Sequence, residues 1–160
     1  MKKIFSLTII LFAGLSALHA QHLTPKAEKH IFQGEINRQG KAVGCHHIRA
    51  INIYQTGQII EGTRTNGPNG LFKAKVKVKS SSGKWVEKIS NGGYSTFFPE
   101  KWSEEKTKSE IEKAFPNKRQ VNGDLYEGKC SEGWIIQFYV NDDETISTAY
   151  PRDWTRNRQL

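Results

Sequence analysis

The stretch HIFQGEINRQGKAVGCHH, residues 30 to 47, sets His30 at one end and the adjacent His46 and His47 at the other. Beyond residue 20 the chain has only one other histidine, His22. Imidazole titrates near neutral pH, so two imidazoles aimed at one bond can serve as general base and general acid. Cleavage of RNA through its own ribose needs such a pair. A base takes the 2′-hydroxyl proton, the oxygen attacks phosphorus, and an acid protonates the departing 5′-oxygen. The crowded phosphorane also needs hydrogen-bond donors, and a base-selective site needs a ring on which the nucleobase can stack.

The chain can furnish each part. His30 with His46 or His47 would be the proton-transfer pair. A lysine-rich segment, Lys73, Lys75, Lys77 and Lys79, would meet phosphates. Thr148 and Tyr150, two apart in an extended segment, share a face and present a hydroxyl and a ring together. Each group also has an ordinary structural reading. Histidines are more often structural than catalytic, and a lysine ladder is usually a solvated strand face. A metal site built from His30, His46 and His47 is the weakest reading, because Glu35 is the only acid nearby.

Elements must hold these groups in place. The chain has 160 residues, which points to one domain. Lys2 and Lys3, an apolar run from Ile4 to Ala13 and a small residue at Ala20 read as a secretory signal peptide over 1–20. That run is too short to span a bilayer, so the expectation is a secreted or periplasmic protein with no membrane attachment after cleavage. The remaining 21–160 would form a single domain. Removing Lys2 and Lys3 takes the formal charge from +8 to +6, an excess that favours an anionic partner. Cys45 and Cys130 either pair in an oxidising compartment or stay as two buried thiols.

Thr24-Pro25 is a helix start, with a capping side chain and proline at the first helical position. The helix would carry His30 and stop before Gly34. Residues 37–44 read as loop, IRAINIYQ (48–55) as a strand broken by Gly57, and 62–70 as an exposed loop. LFKAKVKVK alternates Phe72, Ala74, Val76 and Val78 with lysines, the period of a half-buried strand. SSSG turns the chain into an antiparallel return, KWVEKI, and a short strand YSTFF follows. Ser103 can cap a helix with Glu104 and Glu105 in its first turn and Pro116 beyond its end. DLYEG, GWIIQFYV and TISTAY read as three further strands, ahead of a loosely held tail. The order predicts an α+β protein with an antiparallel sheet and N-terminal and central helices.

Three blocks of this sequence resemble the bacterial EndoU family. EKHIFQGEINRQGKAVGCHH is similar to its opening, where a histidine in HI-x-x-G-(E/D) precedes one in G-x-H. STFFPEKWSEEKTKSEIEKAF resembles its FFP-x-x-W junction and following helix, and TISTAYP its closing T-A-Y-P strand. The blocks stand in the family's order and span residues 28–151. The resemblance implies the ribonuclease fold shared with the barnase, colicin and RelE groups. It also implies cofactor-free, metal-independent cleavage of single-stranded RNA at uridines, leaving a 2′,3′-cyclic phosphate. By motif, His30 and His46 fall on the catalytic histidines, Thr148 on the active-site hydroxyl and Tyr150 on the stacking ring, with His47 the rival to His46. The family's toxin members further imply an immunity protein as partner. The alternative is a non-catalytic RNA-binding module on the same scaffold. Two features depart from the pattern. Cys45 stands where the family commonly has glycine. The lysine that many relatives use has several candidates here, Lys73, Lys75, Lys77 and Lys88.

Overall fold

The structure, a computed structural model, describes residues 22–155. The expected signal peptide and residues 156–160 lie outside them. Helix α1 (Pro25–Phe32) starts where Thr24 accepts a hydrogen bond from the Ala27 N–H. It ends before Gly34, whose φ of +72° suits only the left-handed conformation that stops helices. One face buries Ala27, Ile31 and Phe32, and His30 projects from another.

Residues 37–44, expected wholly as loop, include a short strand, β2 (Ala42–Val43), which pairs antiparallel with β1 (Glu35–Ile36). The next segment corrects the sequence reading. Residues 48–55 are not a strand; they hold a one-turn helix, α2 (Arg49–Asn52). Ile48 and Ile51, three apart, pack on one core and Ala50 is fully buried, while Ile53 stays exposed. Gly57 does not break a strand either; it opens β3 (Gly57–Ile59). A Cβ there would stand 2.8 Å from the Cys45 sulfur, so the close approach requires glycine.

Strand β5 (Phe72–Lys79) is the spine of the N-terminal half, with the alternating burial its sequence predicts. Its end near Lys79 pairs with β3 and with β6 (Trp85–Glu87), and its start pairs with β4 (Thr65–Asn66) and β7 (Tyr94–Phe97), all antiparallel. Phe72 and Phe97 stack at 4.4 Å in the core beneath.

The C-terminal half begins with α3 (Glu104–Ala114), capped by Ser103 accepting from the Lys106 N–H. Four strands follow rather than three: β8 (Arg119–Asn122), β9 (Leu125–Lys129), β10 (Ile135–Val140) and β11 (Ile146–Pro151). They form an antiparallel sheet in the order β11-β10-β9-β8. β8 escaped the sequence reading because it is a largely exposed edge whose only apolar residue is Val121. A second core fills the space between this sheet and helices α1 and α3. The whole is α+β with antiparallel sheets, as expected.

The halves meet along β7 and β11. The Phe98 N–H donates to His46 O at 2.9 Å, and Thr96 Oγ1 donates to Pro151 O at 2.6 Å. Cys45 and Cys130 are both free and buried, one in each core. The start of the tail is held, against expectation: Asp153 pairs with Lys73 at 3.3 Å, and the Trp154 ring lies against Gly67.

Candidate active site

A cleft of about 520 Å³ opens between the two halves. Backbone geometry brings the histidine segments to it. The last carbonyls of α1 lack helical partners. Cys45 N–H donates to His30 O at 2.9 Å, and His46 N–H to Ile31 O at 2.8 Å. The approach is close: a Cβ on Gly44 would stand 2.1 Å from His30 O. The two rings come to rest with centroids 6.2 Å apart.

His46 is almost fully buried, and its Nδ1 lies 2.8 Å from Thr96 O. A carbonyl only accepts, so Nδ1 carries the proton and Nε2 offers a lone pair. Burial above all, with help from Lys88 and His30, holds the imidazole well below its ordinary pKa of 6.5. It is therefore neutral at pH 7. His30 has the opposite partner: its Nδ1 lies 3.2 Å from Glu35 Oε1. Burial lowers its pKa too, but the Glu35 hydrogen bond and charge pull back toward the protonated form.

Tyr150 stacks on the His46 ring at 5.1 Å, and Tyr139 lies 6.5 Å beyond it. β11 presents Thr148 and Tyr150 to the cleft, opposite Tyr139 and Gln137 of β10. A bulge at Ser147 lets Ile146 and Ala149 both face the core while that register holds. Thr148 Oγ1 is buried at the cleft without a hydrogen-bond partner among the described residues. An orphan hydroxyl of this kind costs free energy unless a ligand satisfies it.

His47 takes no part. It packs edge-on against Phe32 at 5.1 Å, and its Nδ1 accepts from the Arg49 N–H. The three histidines thus do not converge, and among the described residues no group of three or more His, Cys, Asp or Glu side chains is placed to hold a metal.

Among the lysines the cleft selects Lys88. Its Nζ donates to Ser95 Oγ at 2.8 Å and Gly44 O at 3.2 Å, leaving a third ammonium proton for a ligand. Burial lowers its pKa to about 8. Lys73 is tied to Asp153, and Lys77 to Glu87. The signal for Lys88 was alternation continued past β6: Trp85 and Glu87 face solvent, Val86 and Lys88 face in.

Two unlike imidazoles, an amine and an unpaired hydroxyl around one concavity are equipment for acid–base chemistry on an anionic ester. The comparisons agree with that class. The family model described as bacterial EndoU nuclease matches residues 24–153. A Bacillus cereus protein named "Toxin" is 36% identical over 136 residues, which cover 84% of this chain and 24% of that protein. No solved structure matches. The chain belongs to the bacterial EndoU nuclease family. It spans about a quarter of the length of the curated relative it matches.

Proposed function

We propose that the chain is an endoribonuclease that cuts single-stranded RNA at uridines by transesterification. The observation that carries this is the opposed hydrogen bonding of the two cleft imidazoles. His46, bonded to a carbonyl, presents a neutral Nε2 lone pair. His30, bonded to a carboxylate, is the imidazole whose protonated form has a charged partner, which offsets part of the lowering that burial imposes on its pKa. His46 takes the proton of the ribose 2′-hydroxyl, and the 2′-oxygen attacks the adjacent phosphorus. The bond from phosphorus to the 5′-oxygen breaks, and His30 gives that oxygen its proton. The products are a 2′,3′-cyclic phosphate and a free 5′-hydroxyl.

Lys88 and Thr148 donate to the non-bridging oxygens, where charge grows as the phosphorane forms. Donors fixed in a buried cleft stabilise that charge without reorganising. Tyr150 offers its ring to the base beside the scissile bond. Every proton has a side-chain carrier, so the scheme calls for no cofactor.

The wider role follows the relative's name and the N-terminal pattern. We propose secretion or periplasmic export by the 1–20 segment, action as a toxin, and an immunity protein whose acidic face covers the basic cleft. The deciding experiment incubates the purified chain with a uridine-containing oligoribonucleotide in EDTA. A matched 2′-deoxyuridine substrate and the His30→Ala and His46→Ala variants run alongside. Cleavage that requires the 2′-hydroxyl and both histidines, and leaves a cyclic phosphate, supports the proposal. RNA that binds with steep salt dependence yet stays intact makes the chain a binding module instead.

A further inference from the structure

The floor of the cleft holds a polar group that the acid–base steps do not use. Gln137 lies on β10 directly across from Tyr150, is only 7% exposed, and lines the cleft. A glutamine amide has one donating end and one accepting end, and what holds the first decides what the second offers. Gln137 Nε2 donates to Glu127 Oε1 at 3.0 Å. Glu127, itself 3% exposed, receives Arg119 at 3.1 Å on its other oxygen, with Arg152 3.6 Å away. With guanidinium groups on its other oxygen, the Glu127 carboxylate is the acceptor and Gln137 Nε2 the donor of this bond. The amide therefore cannot turn round, and Oε1 is the atom left for a ligand.

The geometry points to Gln137 as the residue that determines base specificity: its carbonyl oxygen accepts the N3–H of uracil and rejects bases that present a lone pair there. This rests on the ribonuclease reading and adds the side chain that reads the base and the network that orients it. Uracil offers acceptor, donor and acceptor along O4, N3–H and O2. Cytosine puts a lone pair at N3, so two acceptors would face each other with no water between them. Adenine has a lone pair at the corresponding N1. Arg152 lines the same cleft beside Glu127 and supplies N–H donors suited to a uracil carbonyl. Tyr150, the cross-strand neighbour of Gln137, gives the ring face, which every base can use and which therefore selects none. Discrimination must come from the base edge. A polar site that leaves its own buried group unpaired with the wrong ligand rejects that ligand by about tenfold to a hundredfold or more.

The test uses single-stranded DNA oligomers that carry one ribonucleotide each: uridine, cytidine or 3-methyluridine. 3-Methyluridine keeps both carbonyls and loses only the N3 donor. With the unmodified protein, kcat/KM for cytidine and 3-methyluridine should each fall at least tenfold below uridine. In Gln137→Ala both ratios should move toward one. In Glu127→Gln, where the amide is free to turn, the uridine-to-cytidine ratio should also shrink. Thermal melts check that each variant is folded, and the unmodified protein decides the matter if one is not. A preference that survives Gln137→Ala overturns this assignment alone. Equal cleavage at uridine and cytidine overturns it together with the uridine specificity and leaves the ribonuclease reading standing. No cleavage at any ribonucleotide overturns the ribonuclease reading, and this proposal with it.

Discussion

Replacing Glu35 with glutamine separates the acid from the base. In the proposed steps His46 must be neutral, so the rate rises as pH climbs through its pKa. His30 must be protonated, so the rate falls as pH climbs through its own. Both groups titrate below 6.5, and His46 lies well below it. The profile of kcat/KM is then a bell with its maximum on the acid side of 6.5. Glutamine keeps the size of Glu35 and removes its charge from a contact of 3.2 Å. An opposite charge at such range moves a titration by about one to three units. The side chains of His30 and Glu35 are 17% and 24% exposed, so solvent contact favours the low end of that range. One unit is worth ~1.4 kcal/mol, or about tenfold in rate on the limb concerned. The alkaline limb should therefore move to lower pH, and kcat/KM above neutrality should drop by about tenfold. The acid limb, governed by His46, should stay in place. A series of kcat/KM values from acid to mildly alkaline pH reads both limbs. Loss that is uniform in pH would reduce Glu35 to a positioning residue. A shift of the acid limb, with faster cleavage at low pH, would reverse the two roles and refute the assignment.

Two other perturbations probe the site and the frame that holds it. Thr148→Val keeps the shape and breaks no hydrogen bond among the described residues. It should lower kcat by about tenfold to a hundredfold with little change in melting temperature. Glu110 tests the frame. Burial by itself would raise its pKa, but Lys106, Ser131 and Lys113 hold the carboxylate down to about 2. Its pKa is thus depressed on folding, and the stability it contributes is present above about 4.5 and lost as pH falls from there toward 2. Urea midpoints should drop between pH 5 and pH 3, and Glu110→Gln should flatten that part of the decline.

What the sequence could say depended on how many residues voted for each element. β5 was legible because eight residues alternate without exception. α1 and α3 were legible because a capping side chain and a stop residue bracket each one. α2 was not, since four residues fit a period of two as well as one helical turn, and only the need to reverse the chain decides. Among the site residues, the structure places His30, His46, Thr148 and Tyr150 on one cleft. Choosing His46 over His47 needed the loop geometry, because neighbours in an irregular segment diverge in no set direction. Lys88 was hidden among similar lysines: alternation past β6 turns it inward, but only the folded chain shows that the inward place is buried at the cleft. The pairing of Gln137 with Glu127 spans two strands, and its meaning lies in a hydrogen-bond direction that no spacing encodes.

The same loop explains the residue that departs from the family pattern, and it leads to a redox prediction. Cys45 has φ of +62°, a region that favours glycine, the residue that the family resemblance leads one to expect at that place. A side chain there costs about 1–2 kcal/mol. The cysteine offsets part of that cost by burying its sulfur in the core beneath β5, where Gly57 leaves room for it. Burial also pushes the thiol up to about 12, against the pull of Lys88. A thiol held protonated and shielded is a poor nucleophile and a poor target for oxidants. Cys130 lies in the other core, so a bond between the two would require one core to open. Cleavage by the purified chain should therefore be equal under reducing and mildly oxidising conditions, and alkylation of the native protein should be slow at both cysteines. A rate that falls on oxidation and recovers with reductant would refute this account of Cys45. It would mean that the loop joining the two histidine segments opens far more readily than its backbone hydrogen bonds imply.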